Sequence, residues 1–388
     1  MKVLNIVRFL PIEGFPAEND ITFKIYSDLK KKYCIESLFI MPLPHIPKWA
    51  TYIKKSLKNR YKTINNVTYQ DKKYKFNVKF FESTFPAPFI YLSKKYSFFN
   101  LIFQYNFYKK RLYKIYTGYL PDIIHAHTIT DAYYAYKIFQ KYNVPYIVTL
   151  RGSYSKLYQL PVISNILNYA KYVVTPSYSL FKKLKVKHSI ELLPHGLDES
   201  WYSTEKKEVD TSIIRLITVS RLLEMKNIQI VIKCIAKLKN EGYQINYSIV
   251  GDGPYKEELE ILVNQHKLNN NVKFYGKQSQ DEIKNIYKEN DIFIMISTPE
   301  TFGRVYFEAA AQGLLIVGVQ GTGPDGYFTN EEAYFIQPTV EATTNLLRQL
   351  NSNSFKSMTD KTKEKMKSFK NSYIIDRYYE ILNNIDQS

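Results

Sequence analysis

The feature that most restricts the fold is a repeated alternation between short apolar runs and segments with a helical pattern. The runs hold four to eight residues, are rich in Val and Ile, and end at turn residues. Apolar strands that alternate with helices are typical of parallel sheets covered on both faces. The chain is therefore predicted to be α/β with two doubly wound sheets. The runs lie at 3–7, 36–43, 78–84, 122–127, 145–152, 172–177 and 190–196, and then at 213–220, 246–253, 272–276, 291–297, 314–319 and 333–336.

The length of the chain predicts two domains. Its 388 residues exceed what one ordinary hydrophobic core supports. The polar segment 198–212 separates the two series of apolar runs, which places an N-terminal domain at 1–198 and a C-terminal domain at 199–369. Open α/β sheets bind ligands beyond the carboxyl ends of their strands, so we expect the two domains to face each other across one cleft.

The positive charge is concentrated in the first half of the chain. Residues 1–200 contain 31 Lys and Arg against 12 Asp and Glu, whereas residues 201–388 contain 23 against 24. The densest part is 51–115, with 15 basic and 2 acidic side chains among many Tyr and Phe. Lys mixed with aromatic rings suits an anionic membrane surface and also nucleic acid, and a solvated Lys-rich face is a third interpretation. We favour the membrane surface and regard nucleic acid as the weakest of the three.

The cysteines and the apolar runs bear on the compartment. Cys34 and Cys234 match no metal-binding spacing, which favours a reducing compartment. The apolar run near the start meets Pro and acids too early for a signal peptide. No window reaches the roughly 18 apolar residues of a spanning helix. We expect a cytoplasmic protein that is peripheral on the inner face of the membrane.

Two basic residues follow a predicted strand in the second half. In SRLLEMKN, Arg221 comes directly after the strand and Lys226 stands at the start of an amphipathic helix. Helix amino ends attract anions through free N–H groups and the helix dipole, and a guanidinium with an ammonium group suits a diphosphate. Taken alone, ordinary surface charges explain both residues better. The turn VGDGP at 250–254 is also weak evidence alone, because such turns are common.

Two acids flank a glycine-containing turn in STPETFGRVYFEAAAQG. Glu300 lies on the loop after a predicted strand, and Glu308 lies inside a predicted helix that ends at Gly313. At ~1.5 Å rise per residue the carboxylates are roughly 10 Å apart, too far to share a proton as a glycosidase pair. They fit two ends of one extended ligand, with N–H groups around Gly303 facing a phosphate between them, as in a nucleoside diphosphate sugar. The alternative is a first-turn acid and a solvated helix residue.

Together these stretches resemble the GT-B glycosyltransferases of the retaining family 4 type. The resemblance covers SRLLEMKN, VGDGP, VKFYGK and STPETFGRVYFEAAAQGLLIVG, and in the first half PDIIHAH, YIVTLRG, VVTPS and LLPHGLD. It implies a GT-B fold of two Rossmann-like domains. The N-terminal domain would bind the acceptor and the C-terminal domain the nucleotide sugar, and a helix over about 370–388 would pack back on the N-terminal domain.

The resemblance also implies a role for each matching residue. Arg221 and Lys226 would bind the donor diphosphate, Glu300 the hydroxyls of the donor sugar, and Glu308 the ribose hydroxyls. Other implied contacts come from the backbone N–H groups of Phe302, Gly303 and Arg304, from the strand end at Tyr275, Gly276 and Lys277 beside the base, and from His127 near the transferred sugar. His127 ends the apolar strand DIIHA; a lone histidine is more often structural, but this position favours function.

Three departures from the family pattern fall in the first half. The first loop, FLPIEGFPAEND, offers only Gly14 where the family often has two glycines. Arg151 stands where the family often has histidine before a glycine, which adds a positive charge, and His195 stands where the family often has asparagine. These differences concern the acceptor and the first loop more than the donor.

The expected chemistry needs neither a metal nor a permanently bound cofactor. No Asp-x-Asp follows a predicted strand, so Arg221, Lys226 and helix dipoles would neutralise the diphosphate. Retention without an obvious nucleophile suggests attack on the same face of the sugar, with the leaving phosphate oxygen taking the acceptor proton. UDP is the favoured nucleotide, and the acceptor would be a saccharide or lipid-linked molecule of surface polysaccharide or glycoconjugate synthesis.

Two other classes of function remain open. Another GT-B enzyme is one, although a phosphorylase needs a cofactor-lysine motif that we do not find and an epimerase usually lacks the basic aromatic surface. A non-catalytic module that binds membrane or nucleic acid is the other. The set of Arg221, Lys226, Glu300 and Glu308 argues against the second class.

Overall fold

The computed structural model describes residues 1–7, 20–45, 68–70, 74–86, 97–152, 156–187, 190–202, 212–350 and 352–386. The chain divides into two compact units. Unit 1 consists of residues 1–175, 184–193 and 375–388, and unit 2 consists of residues 176–183 and 194–374. Each unit contains one predominantly parallel sheet with helices, so the predicted α/β class with two doubly wound sheets is confirmed.

The sheet of unit 1 has eight strands among the described residues, in the order β3-β4-β2-β1-β5-β6-β7-β8. Neighbours are parallel except β3 and β4. The central strands are buried along nearly their whole length, which explains their continuous apolar sequences. The edge strand β3 was not predicted, because Thr-Tyr-Gln forms no apolar run. The strands are β1 (Lys2–Ile6), β2 (Glu36–His45), β3 (Thr68–Gln70), β4 (Asn77–Pro86), β5 (Ile123–Ala126), β6 (Tyr146–Thr149), β7 (Tyr172–Thr175) and β8 (Ile190–Leu192).

Tyrosine rings pack two of the helices of unit 1 together. Tyr105 and Tyr108 of α2 meet Tyr133 and Tyr134 of α3, with ring centroids 5.6 Å apart for Tyr105 and Tyr133 and 6.0 Å apart for Tyr108 and Tyr134. Both contacts are edge-to-face, the geometry that aromatic quadrupoles prefer. Part of the unusual aromatic content therefore serves the core. The helices lying wholly in unit 1 are α1 (Ile21–Tyr33), α2 (Ser97–Tyr119), α3 (Ile129–Tyr142) and α4 (Pro161–Tyr169).

The sheet of unit 2 is entirely parallel, in the order β11-β10-β9-β12-β13-β14. The chain moves outward from β9 to β10 and β11 and then returns to the other side of β9 at β12. Such a reversal of strand order opens a crevice at the carboxyl ends of the two central strands. The strands are β9 (Ile213–Val219), β10 (Gln244–Val250), β11 (Val272–Gly276), β12 (Ile292–Ile294), β13 (Leu315–Val319) and β14 (Ala333–Ile336).

Helices with one apolar face cover this sheet. In α6 the buried residues include Ile228, Val231, Ile232, Ile235 and Leu238, which recur every three to four positions and so line one side of the helix. They join β-strand side chains in the core of unit 2. Across all described residues, no helix is both long and apolar enough to cross a bilayer. The helices of unit 2 are α5 (Tyr178–Lys183), α6 (Ile228–Asn240), α7 (Lys256–Gln265), α8 (Gln280–Lys288), α9 (Arg304–Ala311), α10 (Val340–Gln349) and α11 (Ser352–Met366).

The last helix, α12 (Asn371–Asp386), begins in unit 2 and passes into unit 1 after Ile374. Within unit 1 it contacts the first helix of the chain. Lys32 Nζ lies 2.5 Å from Asp376 Oδ1, and the rings of Tyr33 and Tyr379 stack with their centroids 3.8 Å apart. The fold of unit 1 is thus built from distant parts of the chain.

Candidate active site

Three neighbouring strand ends of unit 2 are joined through backbone hydrogen bonds. Ser220 N donates to Val250 O at 3.0 Å, and Gly251 N donates to Gly276 O at 2.8 Å. Gly251 has φ +129°, and a Cβ there would lie 1.8 Å from Ser220 O. Glycine is therefore required, because no other residue permits the two backbones to approach so closely.

The loop that carries Arg221 is held against the VGDGP turn. Leu222 N donates to Asp252 O at 3.0 Å, and a Cβ on Gly253 would lie 2.2 Å from Leu222 O. The side chain of Arg221, two residues after the end of β9, is exposed. The turn that seemed weak evidence in the sequence therefore determines where this guanidinium leaves the strand.

A one-turn 3-10 helix, Glu224–Lys226, precedes α6. Asn227 lies between them and donates through its side-chain amide to Ile296 O at 2.8 Å and to Thr298 Oγ1 at 3.1 Å. Thr298 N donates in return to Met225 O at 3.0 Å. These bonds fasten the segment of Lys226 to the carboxyl end of β12, where the predicted acids begin.

Lys226 and Glu300 form an ion pair. Lys226 Nζ lies 2.7 Å from Glu300 Oε2, and the two side chains are 17% and 14% exposed. The other carboxylate oxygen, Oε1, accepts from Thr301 N at 3.1 Å. Gly323 N donates to the backbone oxygen of Glu300 at 2.9 Å, which fixes the loop. The ammonium group predicted to bind the diphosphate and the carboxylate predicted to bind the donor sugar thus lie side by side.

Helix α9 begins beside this pair. Gly303 precedes it with φ +68°, and a Cβ there would lie 2.5 Å from the ring of Tyr306. The first-turn N–H groups of any helix lack partners within the helix and attract anions. Phe302 is 5% exposed and its ring stacks on Phe307 with centroids 4.3 Å apart. Its side chain therefore packs in the interior, which leaves the backbone for the predicted contact with a ligand.

Glu308 lies one turn into α9 and is 8% exposed. Its Oε1 accepts from Arg304 Nε at 3.0 Å. Burial raises the pKa of Glu308, and the positive charges of Arg304 and Lys284 oppose that rise. The alternative that Glu308 is a solvated face residue is therefore wrong. The charged side chain of Arg304 was missed as a partner, although its i,i+4 spacing from an acid was visible in the sequence.

The predicted base contact, Tyr275 to Lys277, lies where β11 ends. Tyr275 and Gly276 are partly exposed and Lys277 is exposed. Tyr275 O accepts from the side chain of Gln278 at 2.6 Å. The structure thus brings the predicted residues of unit 2 to the carboxyl ends of β9, β11 and β12. Among the residues described, no three His, Cys, Asp or Glu side chains are grouped to hold a metal ion.

His127 lies at the end of β5 in unit 1 and is 3% exposed. Its Nε2 lies 2.9 Å from Asn5 Oδ1, and its Nδ1 lies 3.4 Å from a guanidinium nitrogen of Arg151. Because an amide oxygen only accepts, Nε2 carries the proton and Nδ1 accepts from Arg151. Burial lowers the pKa of His127 well below its usual value, and His125 and Arg151 lower it further. The ring is neutral.

A second histidine, His125, was missed in the sequence. Its ring lies 3.9 Å from that of His127, and it contacts Tyr26 OH at 2.6 Å and Thr149 Oγ1 at 2.7 Å. Burial lowers its pKa as well, and Arg151 contributes. The spacing His-Ala-His signalled this arrangement, because alternate residues of a strand share one face.

Arg151, the positive charge that departs from the family pattern, is tied to this cluster. It donates to Thr22 Oγ1 at 2.8 Å, and burial lowers its pKa. Gly14 of the first loop and nine of the 15 basic residues of segment 51–115 lie outside the described residues.

Two family models match the chain. Residues 201–370 match "Glycosyl transferases group 1", and residues 76–201 match "Glycosyltransferase Family 4". The two matches adjoin at residue 201 and together extend over most of both units.

Similar curated proteins act on glycans and lipids according to their names. The GPI3 subunit of phosphatidylinositol N-acetylglucosaminyltransferase from Saccharomyces cerevisiae is 26% identical over 35% of this chain and 30% of its own length. The putative colanic acid biosynthesis glycosyltransferase WcaL of Escherichia coli is 24% identical over 47% and 48%. Alpha-monoglucosyldiacylglycerol synthase of Streptococcus pneumoniae is 29% identical over 37% and 36%. The matches thus span less than half the length of each relative.

Among solved structures, the Anabaena protein Alr3699/HepE in complex with UDP and glucose has the same fold. Its TM-score is 0.66 at 17% identity, and the match covers 99% of this chain and all of that one. The GT-B fold is therefore shown for the chain, and with it the expectation drawn from the short stretches of sequence is confirmed.

Proposed function

Because the chain belongs to the GT-B glycosyltransferases of the family 4 type, we propose that it moves a sugar from UDP-sugar to a saccharide or lipid-linked acceptor with retention. The observation that carries this proposal is the Lys226–Glu300 pair beside the first turn of α9. A cation for phosphate, an acid for sugar hydroxyls and free helix N–H groups there match the parts of a nucleotide sugar.

The donor occupies unit 2 in this proposal. Arg221 and Lys226 bind the diphosphate, and backbone N–H groups at Gly303 and Arg304 assist. Binding of the diphosphate gives Lys226 a second anionic partner, so that Glu300 becomes free to accept hydrogen bonds from sugar hydroxyls. The ion pair thus holds both groups in place before the donor arrives. UDP is supported by the Anabaena structure, which contains UDP and glucose.

The other end of the donor meets Glu308 and the end of β11. Glu308 accepts from the ribose hydroxyls, and Tyr275, Gly276 and Lys277 border the base. Support comes from the joined strand ends, since Gly251 N donates to Gly276 O at 2.8 Å and so connects the base region to the loops that carry the phosphate-binding side chains.

Transfer follows a same-face course in this proposal. The bond between the anomeric carbon and the diphosphate oxygen breaks, the acceptor oxygen bonds to that carbon on the same face, and the acceptor proton passes to the leaving phosphate oxygen. In this course Glu300 accepts hydrogen bonds from the sugar hydroxyls, and no side chain acts as a nucleophile. The protein contributes position and electrostatic stabilisation.

The reaction is proposed to be independent of metal, with Arg221, Lys226 and the helix N–H groups carrying the charge of the leaving diphosphate. His127 in unit 1 is proposed to act on the transferred sugar as a neutral group. Burial, His125 and Arg151 lower the pKa of His127, which supports a neutral ring.

The acceptor is proposed to bind unit 1, at an anionic membrane surface on the cytoplasmic side. In the described part of the basic segment, Lys109, Lys110 and Lys114 of α2 are exposed. Lys near an anionic leaflet contributes ~1 kcal/mol each, enough for reversible docking by a few contacts. The names of two relatives contain phosphatidylinositol and monoglucosyldiacylglycerol, which supports a lipid acceptor.

The test begins with binding of UDP, GDP and ADP, followed by hydrolysis of their sugars. Of these three nucleotides, we expect only UDP to raise the melting temperature of the protein. A ligand at a hundredfold excess over its Kd stabilises the folded protein by ~2.7 kcal/mol. Slow release of free sugar from one UDP-sugar should follow. Binding of UDP without any release or transfer would favour a non-catalytic module, and preference for GDP or ADP would reject the proposed donor.

A further inference from the structure

Arg304 and Glu308 form an ion pair inside the site on one face of α9. Arg304 Nε lies 3.0 Å from Glu308 Oε1, with the side chains 24% and 10% exposed. Within the described part of the chain, the second oxygen, Oε2, accepts no hydrogen bond. Glu308 thus combines one oxygen fixed by a guanidinium with one oxygen free for a ligand.

The neighbouring helix offers Glu308 little else. The charged and titratable groups that face it from α8 are Lys284 and Tyr287. Lys284 Nζ pairs with Asp281 Oδ1 at 3.0 Å, and Tyr287 OH is directed to Val305 O at 3.4 Å. The hydrogen bond from Arg304 is therefore the direct contact that compensates a carboxylate taken out of water.

We propose that Arg304 is a positioning residue for donor binding: it holds Glu308 ionised and directs the free Oε2 toward the ribose hydroxyls. This inference rests on the proposed function, because it takes a nucleoside diphosphate as the ligand. It adds a charged side chain where the resemblance implied only a backbone contact at Arg304. A carboxylate accepts from a vicinal diol more strongly than a carboxylic acid does.

The pH dependence of UDP binding tests this role. A guanidinium beside an acid lowers the acid's pKa by about one to three units, so Arg304→Met should move the protonation of Glu308 toward neutral pH. We expect Arg304→Met to bind UDP nearly as wild type does at pH 8.5 and more weakly than wild type at pH 6, because a larger share of its Glu308 is protonated there. Arg304→Lys should restore most of the affinity at pH 6. Titration of UDP itself is common to all variants and cancels.

A double substitution separates this role from direct phosphate binding. In the Glu308→Gln background, Arg304→Met should change UDP affinity less than twofold at either pH. A pH-independent loss that persists in that background would show that Arg304 contacts phosphate, and tighter binding by Arg304→Met would show that it competes with ribose. Either result overturns the inference.

A second measurement does not need UDP. Carboxyl carbon NMR of glutamate-labelled protein follows the pH titration of Glu308, whose signal is assigned by its loss in Glu308→Gln. The titration midpoint of Glu308 should be higher in Arg304→Met than in wild type. In Arg304→Lys it should return toward the wild-type midpoint. Unchanged midpoints would overturn the inference even if UDP binds. Failure of wild type to bind UDP would reject the proposed function while the midpoints still report on Arg304.

Discussion

Lys226 Nζ lies 2.7 Å from Glu300 Oε2, although the two residues are 74 positions apart in the chain. The contact forms because the side chain of Asn227 hydrogen-bonds to the loop after β12 and so holds the turn that carries Lys226 beside it. Removal of either partner leaves the other partly buried and unpaired, so substitutions at this pair affect both the protein and its ligand.

Loss of the cation should cut turnover without a metal being involved. Lys226→Ala or Arg221→Ala should lower kcat with a UDP-sugar by roughly 10²–10³, because stabilisation of the leaving diphosphate is lost. Lys233→Ala, an exposed lysine of α6, is the matched control. A chelator should leave the wild type unaffected. Activity abolished by chelator and restored by Mg²⁺ or Mn²⁺ would contradict metal independence.

The two acids should affect different steps. Glu308→Gln should weaken UDP binding, because its carboxylate meets the ribose. Glu300→Gln should leave UDP binding nearly intact and reduce sugar transfer. Calorimetry with UDP and steady-state kinetics with the UDP-sugar measure the two effects. Equal losses of UDP affinity in both variants would mean that the acids share one role.

Gly253, the second glycine of VGDGP, should be required because a side chain at this position would collide with the neighbouring backbone. A Cβ on Gly253 would lie 2.2 Å from Leu222 O, so Gly253→Ala must move the loop of Arg221 or strain it. We expect a loss of about 1–3 kcal/mol in the free energy of unfolding together with weaker UDP binding. Gly118→Ala is the control, since nothing lies within 4 Å of that Cβ. Urea denaturation measures the free energy of unfolding of both variants and of the wild type. A Gly253→Ala variant as stable as the wild type would refute the packing argument.

Stability should fall on mild acidification because of the buried histidines. The pKa values of His125 and His127 are lowered in the folded protein, whereas unfolded histidine has a pKa of about 6.5. Below about pH 6.5 the unfolded chain therefore binds protons that the folded chain does not, and stability drops as pH falls. From pH 7.0 to 5.5 the two groups together remove up to about 2.5 kcal/mol.

Urea denaturation at both pH values measures this slope. Changing His125 and His127 together to Gln should reduce it, and His266→Gln, at an exposed position of unit 2, should not. The same slope in the double variant would assign the pH dependence to other groups.

Docking on membranes should depend on charge in unit 1. The protein should sediment with vesicles that contain anionic lipid and not with neutral ones. Reversing Lys109, Lys110 and Lys114 to Glu should release it while UDP binding survives. At ~0.1 M salt the screening of charges is moderate. If the wild type does not bind anionic vesicles at that salt concentration, membrane docking is rejected and the acceptor is a soluble molecule.

A control and a competitor complete this experiment. Reversal of three exposed lysines of unit 2, Lys233, Lys237 and Lys356, changes net charge equally and should leave vesicle binding intact. Retention of nucleic acid in preference to anionic vesicles would favour the competing target.

Much of the fold was predictable because buried parallel strands leave a local signal. The run VKFYG coincides with β11, and Glu300 falls on a loop with Glu308 inside a helix, as predicted. Local periodicity reports which residues form an element. It reports nothing about which distant loop ends beside which, so the contact between Lys226 and Glu300 could not be predicted.

Other features were present in the sequence and unused. The spacing of Arg304 and Glu308 on a helix predicts an ion pair, and the spacing of His125 and His127 on a strand predicts a shared face. The hydrogen bonds of Asn227 could not be predicted in this way. Asn227 has a left-handed backbone conformation, with φ +57°, and its side chain donates to Ile296 O, 69 positions away in the chain.

The path of α12 has a consequence for biosynthesis. Residues 375–386 of this helix belong to unit 1, where Asp376 and Tyr379 contact α1. Although unit 1 contains β1, it lacks this helix until unit 2 has been translated. N-terminal domains usually fold first during synthesis, but the packing of unit 1 is complete only when α12 has followed unit 2 out of the ribosome.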